Sequence, residues 1–336
     1  MTYCDFFLSK DYPSDDYSVS LGTAYAYGNI GIPPESIPES NFSSKIPGMP
    51  SPDDQLLHNL MRNLINGFLA LIGILGLVGN GRTIYLLAFS IKRNPFTTFI
   101  LNLSIADFGV LASLIMAAIF VAVSTLGKRN ESVQNFFFLF FELFSFTYSA
   151  SQFLLTAISL DRCVAVLFPL WHRCHRPSYL SPLVCGLIWI LSFLLSAVHF
   201  ILHLTNSFGR SRFLYQLIVN GLLCTPLMVV SSVILWIHMR SKYQRNQRKL
   251  LTTILLALLF FLLFSLPKYA LYIVYYLRFH YPVLLTIGII CATLNSIINP
   301  LLYFLVGRKK GKDQPRSSLK VALQRVFKDE QDSPEG

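Results

Sequence analysis

An acid and a base stand side by side at Asp161 and Arg162, toward the end of an apolar stretch from Ser149 to Pro169. Arginine in hydrocarbon costs about 2.5 to 3.5 kcal/mol on insertion scales, so it is kept at a helix end or for a purpose. At the cytoplasmic end of a helix, Arg162 would stand at the rim of a cavity that a cytosolic partner can enter. The plainer reading makes both residues interfacial charges that set topology. A second acid, Asp107, lies mid-way along another apolar run, where a carboxylate has to face the interior and find partners. A third, Glu142, precedes Arg162 by 20 residues, about 30 Å of helix, and so belongs near the opposite membrane face. No enzymatic constellation accompanies them. The histidines are scattered, with no His-Glu-x-x-His pair, no acid dyad within the apolar runs and no phosphate-cradling glycine loop. A binding protein is expected, not an enzyme, and no cofactor is called for beyond an ion.

The elements that must hold these groups are membrane helices. Hydrophobic residues make up 53% of the chain, charged residues 13%, and the mean hydropathy is +0.52, too apolar for a soluble protein of this length. A formal net charge of +11 would suit nucleic acid. The basic residues flank apolar spans, however, and form no separate basic domain, so the lipid bilayer is the expected partner and nucleic acid is not. Seven apolar segments are each about as long as the roughly 20 residues needed to cross a bilayer. They run Leu64 to Phe89, Phe96 to Val123, Phe136 to Phe168, Pro182 to Leu204, Phe213 to Met239, Leu250 to Leu277 and Val283 to Val306. Backbone groups in lipid must bond internally, so spans this long are helices and not barrel strands. The expected fold is an all-α membrane protein: a tail over residues 1–61, a seven-transmembrane helix bundle over 62–306, and a second tail over 307–336.

Basic residues orient the bundle. Lys92 and Arg93, Arg173 and Arg176, the cluster from Arg240 to Lys249, and the cluster from Arg308 to Lys312 fall on one side. Lys128, Arg129, Arg210, Arg212 and Arg278 fall on the other. The bias puts the N-terminus outside the cell and the C-terminus in the cytosol. The first tail, rich in Ser, Pro, Tyr, Asp and Glu without helical period, reads as disordered. It lacks the basic start and apolar core of a cleavable signal peptide. Glycosylation is expected at Asn41 and Asn130, whose sequons fall outside, whereas the sequon at Asn102 lies within the second span and should be silent. In the C-terminal tail Leu319, Ala322, Leu323, Val326 and Phe327 recur at helical spacing. That stripe suits a short amphipathic helix on the inner leaflet.

Four stretches carry a resemblance. Gly79-Asn80, Leu103 to Asp107, Leu160 to Pro177 (LDRCVAVLFPLWHRCHRP) and Asn295 to Tyr303 (NSIINPLLY) resemble, at matching places, the helix signatures of rhodopsin-like (class A) G-protein-coupled receptors. The wording around Cys163 looks most like the Mas-related receptors. The resemblance implies that Asp107 gathers Ser151, Asn295, Ser296 and Asn299, and that this oxygen-rich cluster holds an allosteric sodium ion, which favours the inactive state; a hard cation suits such donors. A protonated Asp107 bonded to the same side chains, without an ion, is the alternative. The resemblance further implies coupling to a heterotrimeric G protein through Asp161, Arg162 and Tyr303, with Pro226, Pro267 and Pro300 as hinges.

The expected ligand is an extracellular peptide or small molecule in the outer half of the bundle. Glu142, His199, Lys268, Tyr269 and Tyr272 are the candidate pocket residues. Lys268 could meet a ligand carboxylate or snorkel to the rim, Glu142 could face headgroups instead, and the tyrosines could equally form an interfacial belt. Several positions depart from the pattern. Ser265 replaces the usual tryptophan before Pro267, Ile234 replaces the tyrosine that usually meets Tyr303, and Phe137 stands where most of the superfamily places a disulfide cysteine. The start of the sixth span has Gln247, Arg248 and Lys249 but no acid to lock Arg162, which implies a less firmly held inactive state. The expected location is the plasma membrane, multi-pass. A seven-helix transporter or channel is the other reading; it would need a continuous polar path, and the buried polar groups cluster around Asp107.

Overall fold

The computed structural model describes residues 52–91, 93–126, 131–205, 212–241, 252, 254–265, 282–307, 319–321 and 323. Among them the only regular structure is helix: α1 (Pro52–Phe89), α2 (Pro95–Leu126), α3 (Glu131–Leu167), a short α4 (Pro169–Cys174), α5 (Leu180–Leu204), α6 (Arg212–Ser241), α7 (Ile254–Ser265) and α8 (Pro282–Gly307). Six of these, all but α4 and α7, contain stretches long and apolar enough to cross a membrane. α7 is the described part of the sixth expected span. The all-α membrane bundle expected from the sequence is the fold. The chain divides into two compact units, residues 1–67 and 68–336, and every contact described below lies in the second. Asn41, Asn130, Pro267, Lys268, Tyr269 and Tyr272 lie outside the described residues.

Local chemistry sets the helix ends at the loop that precedes α2. Asn94 caps the helix: its Oδ1 accepts from the Thr97 amide at 2.6 Å, and the Asn94 amide donates back to Thr97 Oγ1 at 2.8 Å. Pro95 follows at the first helical position, where a missing N–H costs nothing and the fixed φ already fits. At the same end of the bundle Phe168 leaves helical geometry (φ −126°, ψ 63°) because it precedes Pro169, and the chain breaks into the separate α4. The third span therefore ends one residue before the expected Phe168, and α4 was not anticipated.

α3 is the axis of the bundle. Its membrane stretch is 67% buried, against 28% for those of α1, α5 and α6, so α3 is surrounded by protein where the others present one side to lipid. It packs against α2, α5 and α6 and leads into α4; α2 also meets α5 and α8. α5 shows the lipid-facing pattern. Cys185, Ile188, Ser192, Leu195, Ser196 and His199 are buried at three- and four-residue spacing, while Leu187, Ile190, Leu194 and Ile201 between them are exposed. Trp189 Nε1 donates to Asn102 Oδ1 at 3.0 Å, and Asn102 Nδ2 donates to Thr98 O at 2.8 Å. The Asn102 amide is thus engaged between α2 and α5. The five described cysteines, Cys163, Cys174, Cys185, Cys224 and Cys291, are all free thiols.

The described part of the C-terminal stripe is helical. Lys320 is exposed, Leu319 packs against the core cluster and Leu323 is fully buried. These two leucines therefore face protein, where the sequence alone suggested the inner leaflet.

Candidate functional site

Three buried polar groups are strung along α3. The middle one is Asp107, fully buried on α2. Its Oδ1 accepts from Ser151 Oγ at 2.7 Å and its Oδ2 from Asn299 Nδ2 at 2.7 Å. One carboxylate thus ties α2 to α3 and to α8. The Ser296 hydroxyl stands beside the same carboxylate without closing a hydrogen bond, and both amide atoms of Asn295 lack a protein partner although the residue is 2% exposed. Asn80 of α1 joins the cluster through the backbone: its Nδ2 donates to Ser296 O at 3.0 Å and to Gly76 O at 3.1 Å. All five residues expected around a cation are therefore buried, on three helices. The donor set is one carboxylate with oxygens of serine and asparagine, and buried orphan amide and hydroxyl groups are ones that an ion or water would satisfy. That set fits a small hard cation. Among the described residues no group of three or more His, Cys, Asp or Glu side chains gathers that could hold a metal ion.

A second group, toward the C-terminal end of α3, is built on Asp161 and Arg162. Arg162 Nη2 donates to Asp161 Oδ2 at 2.5 Å and Nε does so at 3.1 Å, a two-pronged bond between chain neighbours. The guanidinium also lies over the Phe96 ring of α2, 4.3 Å from its centroid. Asp161 has a second cation: Arg176 Nη2 contacts Oδ1 at 2.7 Å. Arg176 Nη1 meets His172 Nε2 at 2.5 Å, and Nη2 donates to Ser181 Oγ at 2.7 Å. Arginine has no acceptor atom, so the imidazole nitrogen takes that bond as the acceptor; the same Nε2 lies 3.7 Å from Asp161 Oδ1. Tyr303, 3% exposed on α8, belongs to the same core cluster as Cys163 of α3. The thiol of Cys163 donates to Ser231 O on α6 at 3.3 Å, and Ile234, one turn on, is partly buried against the cluster.

A third group, toward the N-terminal end of α3, pairs two expected pocket residues with each other. Glu142 on α3 is 6% exposed and His199 on α5 is 2% exposed. His199 Nδ1 bonds Glu142 Oε1, and Ser196 Oγ donates to Glu142 Oε2 at 3.0 Å. Phe138 stacks on the imidazole and Phe141 tilts against it. Glu142 does not face lipid headgroups; it is a buried acid with two donors. Pro226 and Pro300 sit inside α6 and α8, which continue through them. Ser265 is buried at the described end of α7.

The sequence reading did not single out Phe96, His172, Ser181 or Ser196, and it used Arg176 only as a topology charge. The loop between α3 and α5 has no periodicity from which the approach of Arg176 to Asp161 can be read. Ser196 and His199, three apart on one helix face, are the signal that could have placed Ser196 beside Glu142.

The description "7 transmembrane receptor (rhodopsin family)" matches residues 79–303, two-thirds of the chain and every helix that builds these groups. The chain belongs to that family. Among relatives of the receptor, Proto-oncogene Mas of Rattus norvegicus is 37% identical over 271 residues, covering 77% of this chain and 82% of that protein. Mas-related G-protein coupled receptor member D of Rattus norvegicus is 36% identical over 285 residues, covering 78% and 85%. Member H of the same group, also from Rattus norvegicus, is 37% identical over 265 residues, covering 76% and 80%. The receptor is therefore a multi-pass membrane protein of the Mas-related branch of G-protein-coupled receptors, as its motifs implied. The transporter or channel reading gives way to this finding.

Proposed function

We propose that the receptor takes an extracellular ligand, a peptide or a small molecule, into the outer half of its bundle and activates a heterotrimeric G protein through the Asp161-Arg162 end of α3. Its N-terminus lies outside and its C-terminus in the cytosol. The observation that carries this reading is the state of Arg162. The residue is 5% exposed at the inner end of the most enclosed helix, held by its chain neighbour and by an aromatic ring. A charge kept at that depth, held by contacts that can be exchanged, is suited to being released toward a cytosolic partner. The sodium ion belongs to the same reading: bound among Asp107, Ser151, Asn295, Ser296 and Asn299, it would tie three helices together and favour the resting state.

The test is G-protein activation in cells expressing the intact receptor or Arg162→Ala at matched surface density, without ligand and with candidate peptides and small molecules. The expected result is a signal from the intact chain that Arg162→Ala reduces by about 10-fold or more, the loss of one charge-assisted contact at a coupling interface. Equal signals from both forms would remove Arg162 from the coupling role.

A further inference from the structure

The Asp161 carboxylate divides its two oxygens between two arginines. Oδ2 serves Arg162 of α3, and Oδ1 serves Arg176 of the segment between α4 and α5 at 2.7 Å. All three side chains are nearly enclosed, at 6% exposure for each arginine and 11% for the acid. Arg176 is braced on both sides, by His172 Nε2 at 2.5 Å and Ser181 Oγ at 2.7 Å. It therefore keeps its place whether or not Arg162 stays.

This arrangement bears on activation, given the coupling role of Arg162 proposed above. If Arg162 swings away to meet a partner, an enclosed acid with a single cation would be left uncompensated, which is the costly way to break a buried ion pair. A second guanidinium already seated on the other oxygen removes most of that cost. It also weakens the hold of Asp161 on Arg162 beforehand, because the negative charge is shared.

We propose that Arg176 is a positioning residue for G-protein coupling: it retains Asp161 when Arg162 is released. Arg176 acts through Asp161 and not by touching the partner. With no acid among Gln247, Arg248 and Lys249 at the start of the sixth span, the contest between Arg162 and Arg176 for one carboxylate sets how readily the inner end opens. Removing Arg176 should tighten the Asp161-Arg162 pair and make coupling harder.

The experiment uses the full-length receptor purified into lipid nanodiscs and titrated with nucleotide-free G-protein heterotrimers of the four Gα classes, reading half-saturation of the complex. Arg176→Ala is expected to weaken binding of the preferred class by about fivefold, a typical coupling for groups in one ion-pair network. Arg176→Lys should restore most of that loss. In an Asp161→Asn background, where no charge is left to compensate, Arg176→Ala should change binding by less than about twofold. Arg176→Gln, which keeps a polar donor and part of the side-chain volume but not the charge, stands in if the alanine form does not fold, and should bind as weakly as predicted for alanine. Unchanged binding by the charge-removing variants, or an equal loss in the Asp161→Asn background, overturns the proposal. An Arg162→Ala arm separates the two readings. If that change leaves binding intact, or the unmodified receptor binds none of the four classes, the coupling role itself has failed and this inference with it. If Arg162→Ala abolishes binding while the Arg176 variants do not alter it, this inference alone is wrong.

Discussion

The Arg162 guanidinium lies over the face of Phe96, with Cζ 4.3 Å from the ring centroid. A cation over an aromatic face in an enclosed site gains roughly 0.5 to 2 kcal/mol, and the ring comes from α2 while the cation comes from α3. Phe96 is 1% exposed, so the contact is shielded from water. It holds the guanidinium inward in the absence of a sixth-helix acid.

Replacing Phe96 by leucine keeps the apolar volume and removes the π face. Phe96→Leu is expected to raise ligand-free G-protein activation by about two- to fivefold at equal surface expression, from the loss of roughly 0.5 to 1 kcal/mol of inward hold. Nucleotide exchange on purified heterotrimer, with the receptor in nanodiscs, reads this directly. An unchanged rate would mean that the ring only fills space.

At Asp107 the two hydrogen bonds at 2.7 Å leave the Asn295 amide and the Ser296 hydroxyl without a closed bond. A bound cation stabilises the folded state by an amount that grows with its concentration, as RT ln(1 + [L]/Kd). Thermal unfolding of the ligand-free receptor should therefore rise with sodium chloride but not with the choline salt at equal ionic strength. Asp107→Asn should abolish the difference. A melting temperature that depends on ionic strength alone would leave a protonated Asp107, bonded to Ser151 and Asn299, as the better description.

The bundle was legible in the sequence because helix length against bilayer thickness yields the spans. The Asp107 cluster was legible through the receptor resemblance, which implied Ser151, Asn295, Ser296 and Asn299 as its neighbours; Asn80, which reaches the cluster through the Ser296 carbonyl, was not among them. The inner end was legible only in part. The pairing of Asp161 with Arg162 follows from adjacency, but Arg176 reaches the same carboxylate through a loop whose path depends on the break at Phe168 and the short α4. Phe96 was hidden for another reason. An apolar residue in an apolar span carries no mark of the cation it covers. Glu142 and His199 were each visible as unusual polar residues, yet their mutual bond required knowing the rotational setting of α3 against α5.

That bond has a stability consequence. His199 and Ser196 both bond to the Glu142 carboxylate, and all three are buried. His199→Ala leaves an enclosed carboxylate with a single hydroxyl partner, and a loss of about 3 kcal/mol is expected from stranding it. Glu142→Gln combined with His199→Ala should cost less than the sum of the two single changes, by about 1 kcal/mol or more, because each single change strands the other group. Unfolding of the four proteins under one set of conditions measures the coupling. Strict additivity would show that the pair contributes nothing jointly, and would return Glu142 to the role of a ligand contact.

A glycine of α2 set against α3 provides a purely steric prediction. A Cβ placed on Gly109 would lie 2.6 Å from Thr147 Cγ2 and 3.1 Å from Thr147 Cβ. Thr147 cannot readily turn aside: it is β-branched within a helix, and its Oγ1 is fixed to Leu143 O at 2.8 Å. The helices must separate or a rotamer must strain, which in a packed interior costs about 1 to 3 kcal/mol. Gly109→Ala is therefore expected to lower the melting temperature of the purified receptor by several degrees. Thr147→Ala, which removes the opposing methyl, should recover most of the loss when combined with it. If Gly109→Ala melts like the unmodified protein, the two helices are not in contact at this level. If Thr147→Ala fails to rescue, the strain is taken up elsewhere than in the Gly109–Thr147 contact.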